Sequence, residues 1–99
     1  MEDNRLWIFP KHVNMEDVCV YMDRLNSITG DDAITFDLQN TTRMHSSFVG
    51  FLIHAKDHVT KNGGRMTLLL SLTIEKILIM LNVYDYFASE IKPSVKKSA

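Results

Sequence analysis

The sequence predicts a small α/β domain, with a mostly parallel or mixed sheet of about four strands and three to four helices. Two observations lead to this prediction. Strand-like and helix-like segments alternate three times along the 99 residues, and the last strand-like segment, Arg65–Leu70, is apolar almost throughout. Alternation of this kind is typical of parallel strands joined by right-handed helical connections. A continuous apolar run is typical of a strand that is covered on both faces.

The first strand and helix are predicted near the amino terminus. The segment Arg5–Phe9 is short, aromatic and branched, and Pro10 ends it. Asn14 is well placed to cap a helix, and Gly30 marks the end of that helix. Between these two residues, apolar side chains recur at three- and four-residue steps, as on one face of a helix. They are Met15, Val18, Cys19, Met22 and Leu25.

The second and third strand–helix units follow the same order. The segment Ala33–Leu38 is predicted as a strand because polar clusters bound it on both sides. The run Phe48–Thr60 has helical period, and Lys61–Gly64 ends it with a basic residue and two glycines. Ser71 is predicted to cap the last helix. The side chains that face inward on that helix are predicted to be Ile74, Ile77, Leu78 and Leu81.

Composition and length exclude several classes of protein. A chain that is 45% hydrophobic, with a net charge of −1, is neither disordered throughout nor basic enough for a nucleic-acid footprint. The single cysteine, Cys19, forms no intramolecular disulfide and suits a reducing compartment. The sequence has neither a signal-peptide pattern nor an apolar run that could span a membrane, so we expect a cytoplasmic protein. We predict one domain at residues 1–88 and a mobile tail at residues 89–99.

Two motifs that could carry a cofactor or a metal have simpler interpretations. Gly63 and Gly64 precede a strand, whereas a phosphate-binding loop precedes a helix, so they indicate a tight turn. His54 and His58 are four residues apart and could share one helix face. Two ligands do not make a zinc site, and the glutamate of a metalloprotease motif is missing. We therefore predict solvated or half-buried histidines, with no cofactor and no metal.

The stretch "RMHSSFVG" carries the most informative polar residues. Ser46 and Ser47 stand where a polar loop meets the apolar run of the second predicted helix. Ser46 is the predicted N-cap, a role worth about 1 kcal/mol. A helix N-terminus favours negative charge, so a phosphoryl group on Ser46, adding about −1.5 to −2 charges, would be tolerated there. A hydrolase that uses Ser46 and His45 is a further hypothesis, but neighbouring residues rarely align for catalysis and the nucleophile elbow is missing. We predict no catalytic residue.

From Ala33 to Phe87 the chain resembles a STAS domain, the fold of bacterial anti-sigma factor antagonists. In that family an apolar strand ends in Asp-Leu, and a polar loop then leads to a helix that opens with Asp-Ser-Ser-Gly-Leu-Gly. A glycine pair precedes the next strand, and a serine opens the last helix. The upstream strand and helix also resemble the family, without its usual first strand. The matching residues here are Asp37, Leu38, Ser46, Ser47, Gly50, Gly63, Gly64, Ser71 and Phe87.

The resemblance implies a phosphorylation switch in bacterial transcription regulation rather than an enzyme. Family members bind a serine kinase that is often also the anti-sigma factor. The kinase phosphorylates the first serine of the pair, which matches Ser46, and a phosphatase restores binding. Ser47, Thr41 and Thr42 are the alternative acceptors. We expect neither nucleic acid nor a membrane as a partner, and a monomer or weak homodimer. The alternative is a STAS subunit of a signalling scaffold or a lipid-transport complex that phosphorylation does not regulate.

Three residues depart from the family pattern, and they affect the predicted partner surface. His45 replaces an aspartate, and Phe48 and Asn82 replace glycines. Phe48 fits either the partner surface or the core. We place Arg43, His45, Ser47 and Phe48 at the partner surface, with Asp37 supporting it. Independently of the resemblance, three apolar residues lie outside the core stripes and predict a patch beside Ser46, unless a tail or a second copy covers it. These are Val49, Ile53 and Ile79.

Overall fold

The computed structural model describes residues 5–28 and 32–92. These residues form five strands and three α-helices. The strands are β1 (Leu6–Ile8), β2 (His12–Val13), β3 (Ala33–Leu38), β4 (Arg43–Met44) and β5 (Arg65–Leu70). The helices are α1 (Met15–Asn26), α2 (Ser47–Lys61) and α3 (Leu72–Met80), and a short 3-10 turn follows at Asp85–Phe87.

The main sheet has the order β1-β3-β5, and all of its strands are parallel. This confirms the predicted α/β class. A second, smaller ladder pairs β2 with β4, also in parallel, just beyond the carboxyl ends of β1 and β3. The sequence does not predict this second ladder, because each of its strands has only two residues and shows no periodicity.

Side-chain hydrogen bonds fix the starts of α1 and α3 close to the predicted positions. The Asp17 carboxylate accepts the backbone N–H of Asn14 at 2.9 Å, which closes the first turn of α1. The Ser71 hydroxyl accepts the backbone N–H of Ile74 at 3.1 Å and caps α3 as predicted. α1 ends at Asn26, and the predicted stop at Gly30 lies outside the described residues.

An aromatic cluster fills the space between the main sheet and helices α1 and α2. The rings of Trp7 and Phe36 are 4.9 Å apart, and Phe9 meets Phe48 edge-on at 5.3 Å. Phe48 is fully buried, so the prediction that it lies on the partner surface is wrong and its alternative as a core residue is confirmed. Tyr21 packs against the cluster, where burial raises the pKa of its phenol and the carboxylate of Asp17 acts in the same direction.

The opposite face of the main sheet is largely open. Ile8 in β1 is 66% exposed, and Thr67 and Leu69 in β5 are only half-buried. The prediction that β5 is covered on both faces is therefore wrong. Its apolar run arises because Met66 and Leu68 face the helices while Leu69 lies on the open side.

Two helices expose residues that are predicted to face the core. Met15 and Cys19 in α1 are exposed, whereas Val18 and Leu25 in the same predicted stripe are buried. Leu81 is 49% exposed, because α3 has already ended at Met80. The turn that follows contains Asn82, with a φ of 64°. This left-handed conformation favours glycine and tolerates asparagine, which explains how Asn82 stands where the STAS pattern has glycine.

The residues just after the 3-10 turn pair with the free edge of β5. Leu68 donates its N–H to the carbonyl of Glu90 at 2.8 Å, and Lys92 donates to the carbonyl of Leu68 at 2.9 Å. The Lys56 ammonium contacts the Glu90 carboxylate at 3.2 Å and also donates to the carbonyl of Tyr86. Residues 90–92, which belong to the predicted tail at residues 89–99, are therefore paired with β5. Residues 93–99 of the predicted tail lie outside the described residues.

Candidate functional site

The candidate site is a groove at the carboxyl edge of the main sheet. In parallel α/β folds this edge is where ligands usually bind, because the strands end there and the helices begin. The groove has a volume of about 790 Å³. Its walls come from β2 and β4, from the first turn of α1 and from Ile77 of α3.

A buried threonine holds this edge together. Thr41 is fully buried, and its hydroxyl donates to the carbonyl of Pro10 at 2.8 Å. The carbonyl of Thr41 accepts the Ser71 hydroxyl at 2.7 Å. These two bonds join the segments that follow β1, β3 and β5. Thr41, one of the alternative phosphate acceptors, is thus inaccessible in the folded protein, whereas the neighbouring Thr42 is exposed.

Asp37 acts through the backbone at the end of β3. Its carboxylate accepts the N–H of Gln39 at 3.0 Å, and its carbonyl accepts the N–H of Phe9 at 3.1 Å. The first bond closes the turn after β3, and the second continues the pairing between β1 and β3. Asp37 therefore fixes the start of the loop that leads to β4.

At the start of α2 the side-chain capping bond comes from His45 and not from Ser46, the N-cap residue. Ser46 has helical backbone angles (φ −59°, ψ −26°), and its side chain makes no capping bond. Instead, Ser47 donates its backbone N–H to Nδ1 of His45 at 3.1 Å, and its hydroxyl lies 2.9 Å from the same atom. Ser46 is thus the N-cap residue by position, as predicted, but the predicted capping bond from its hydroxyl is absent. Because Nδ1 accepts an N–H, the ring proton of neutral His45 is on Nε2. The exposed Ser46 hydroxyl has no partner among the described residues.

The same geometry weighs against the hydrolase hypothesis. The serine in contact with His45 is Ser47, not Ser46. The contact uses Nδ1, which is also occupied by a backbone N–H. Within residues 5–28 and 32–92, no carboxylate bonds to the other ring nitrogen and orients it as a catalytic base requires. The arrangement is that of a helix cap.

Replacing His45 with alanine is expected to lower the free energy of unfolding by about 1 kcal/mol, because the first turn of α2 then loses its side-chain acceptor. His45→Asp is expected to keep most of the stability, since a carboxylate can accept the same N–H. Urea unfolding of both variants measures the difference. Equal stability of His45→Ala and wild type would show that the imidazole does not cap the helix.

The small ladder brings basic side chains together beside this cap. His12 and Arg43 are paired in register, and His45 follows Arg43 by two residues. Strand side chains alternate, so Val13 is buried and Met44 is half-buried on the other side while the three basic residues are exposed. Sequence reasoning missed His12, since only the pairing of β2 with β4 places it next to Arg43.

The predicted apolar patch draws its residues from α2 and α3. Val49 and Ile53 lie on the same flank of α2 as Lys56, whose ammonium reaches the segment after α3. Val49 is half-buried and Ile53 is 37% exposed. In α3, however, the residue that lines the groove is Ile77. Ile79, which is 55% exposed, lies about 200° further round the helix, so it points away from the groove. Ile79 is therefore no part of the groove, and the patch of Val49, Ile53 and Ile79 stays a prediction.

The two histidines of α2 join that helix to the end of α1. His54 is exposed and His58 is half-buried, as predicted. Nε2 of His58 donates to the carbonyl of Ile28 at 2.8 Å, and Nε2 of His54 lies 3.4 Å from the side-chain oxygen of Asn26. Across the part of the chain that the structure describes, no three His, Cys, Asp or Glu residues are grouped to hold a metal ion.

Neither the models of known protein families nor the curated proteins match this chain. The fold and the site define its class. It is a small parallel α/β domain with an open, partly basic groove, and the exposed Ser46 at the start of α2 makes no side-chain capping bond. Among residues 5–28 and 32–92, no helix combines the length and the apolar character needed to cross a membrane.

Proposed function

We propose that this chain is an anti-sigma factor antagonist, a module that binds an anti-sigma factor with serine kinase activity and is released when Ser46 is phosphorylated. One observation carries the proposal. The Ser46 hydroxyl is exposed and uncommitted at the first turn of a 15-residue helix, directly after the groove-lining residue His45. The order of motifs that resembles a STAS domain and the parallel α/β architecture are consistent with this role.

The other hydroxyls of the loop are less suited to accept a phosphoryl group. The Ser47 hydroxyl is engaged by His45, and that of Thr41 is buried against the carbonyl of Pro10. Thr42 is exposed, but it precedes β4 and lies outside the first turn of α2. A phosphate on Ser46 would meet the positive end of the α2 dipole, which stabilises about −1.5 to −2 added charges at that position.

Incubation of the purified chain with ATP and a kinase of the anti-sigma factor type, followed by mass mapping, tests this proposal. We expect a phosphate on the peptide that contains Ser46 and none on the Ser46→Ala variant. Ser47→Ala is the matched control and is expected to be phosphorylated like wild type. Equal phosphorylation of Ser46→Ala would overturn the assignment. Absence of phosphate on wild type would favour an unregulated subunit of a signalling scaffold or lipid-transport complex.

A further inference from the structure

We propose that the groove binds an acidic, partly apolar segment of the partner protein. The inference rests on the proposed function for the nature of that partner, an anti-sigma factor. The basic face of the groove, defined as His12, Arg43 and His45, would hold the carboxylates of the segment. Its apolar side would hold the intervening side chains.

The basic face carries hydrogen-bond donors that have no acceptor among the residues that the structure describes. The guanidinium of Arg43 forms no ion pair with any carboxylate among the described residues. Nδ1 of His45 already accepts the backbone N–H of Ser47. In neutral His45 the proton is therefore on Nε2, which can donate a hydrogen bond to a ligand. His12 lies next to Arg43 through the β2–β4 pairing. Arginine in particular matches the two oxygens of a carboxylate.

The remaining walls favour a protein segment over a polyphosphate chain. Glu16 also lines the groove, and its carboxylate repels a ligand with dense, continuous negative charge. Met15 is exposed and Ile77 is half-buried along the same groove. Methionine adapts to irregular apolar surfaces. A segment that alternates acidic and apolar side chains therefore satisfies both sides of the groove, whereas an oligonucleotide satisfies only the basic side.

The position of Ser46 connects this groove to the proposed switch. Ser46 follows His45 directly in the chain, and His45 is part of the basic face. A phosphoryl group there would repel the carboxylates of the segment and would compete with them for the same donors. Phosphorylation of Ser46 and binding of an acidic segment are thus mutually exclusive.

Fluorescence anisotropy with a short labelled peptide of alternating Glu and Leu tests the inference on the unphosphorylated protein, without any kinase. We expect this peptide to bind at least about tenfold more tightly than its Gln–Leu counterpart, a difference of roughly 1.4 kcal/mol. Arg43→Ala and Ser46→Glu should each weaken binding about tenfold. Arg65→Ala is the matched control, because Arg65 is also exposed but lies at the opposite end of β5, and it should bind like wild type.

Several outcomes would overturn the inference. These are no binding, equal binding of the two peptides, an equal loss in the Arg65 variant, and competition by a single-stranded oligonucleotide as strong as that by the peptide. Circular dichroism of each variant separates a lost contact from a lost fold. The binding experiment contains no kinase, so its result is independent of the phosphorylation experiment. If the peptide does not bind but Ser46 is phosphorylated, the inference about the groove is wrong and the proposed function stands. If the peptide binds but Ser46 is not phosphorylated, the inference about the groove stands and the proposed function is wrong.

Discussion

Replacing Phe48 with alanine is expected to lower the free energy of unfolding by about 3–5 kcal/mol. The ring is fully buried, meets Phe9 edge-on at 5.3 Å and stacks on Phe51 at 5.6 Å. Its removal leaves a cavity between α2 and the sheet that the neighbouring rings cannot fill completely. Phe48→Gly, which introduces the residue that the STAS pattern has at this position, is expected to cost about 1 kcal/mol more, because glycine is unfavourable inside a helix.

Urea unfolding measured by the fluorescence of the buried Trp7 provides the test for Phe48. Two matched variants bracket the result. Phe48→Leu keeps most of the volume and is expected to lose less than about 1.5 kcal/mol. Ile8→Ala, at an exposed position on the open face of the sheet, should change stability by no more than about 0.5 kcal/mol. A loss below about 1 kcal/mol for Phe48→Ala would show that the ring contributes little to the core and is available to a partner.

The second large effect is expected at Thr41. Thr41→Val keeps the shape of the side chain but removes the donor to the carbonyl of Pro10, which then lies beside an apolar group. Loss of this part-buried hydrogen bond costs about 0.5–1.5 kcal/mol, the net contribution of a typical one. Thr42→Val is the matched control at the next, exposed position and should stay within about 0.5 kcal/mol of wild type. Equal stability of the two valine variants would mean that the Thr41 hydroxyl does not hold the edge of the sheet.

The local sequence pattern was sufficient to predict those elements that depend mainly on their own residues. The bounds of β3 and β5 agree with the prediction, since each strand is a branched or apolar run between polar residues. α2 begins and ends one residue outside its predicted range, Phe48–Thr60, for a similar reason. The cap at Ser71 also follows from local chemistry, because a serine before a helical run finds a free N–H three residues ahead.

Features that depend on distant partners were not predictable in the same way. The basic face exists because two strands of two residues each happen to pair, and nothing in either strand alone signals this. Likewise, Ile91 follows an aperiodic stretch, yet its segment pairs with Leu68. At α2 the sequence offered Ser46 as the more usual cap, whereas the fold uses the imidazole of His45. That exchange leaves the Ser46 hydroxyl free, which is the basis of the proposed site.

The affinity of the chain for an anti-sigma factor with kinase activity, measured by calorimetry for wild type, Ser46→Ala and Ser46→Glu, tests the central claim most directly. Calorimetry in the absence of ATP keeps the proteins unmodified. We expect wild type and Ser46→Ala to bind alike and Ser46→Glu to bind at least about tenfold more weakly, because a carboxylate at this position imitates part of the phosphate charge. Equal affinity of all three proteins would contradict a switch at Ser46.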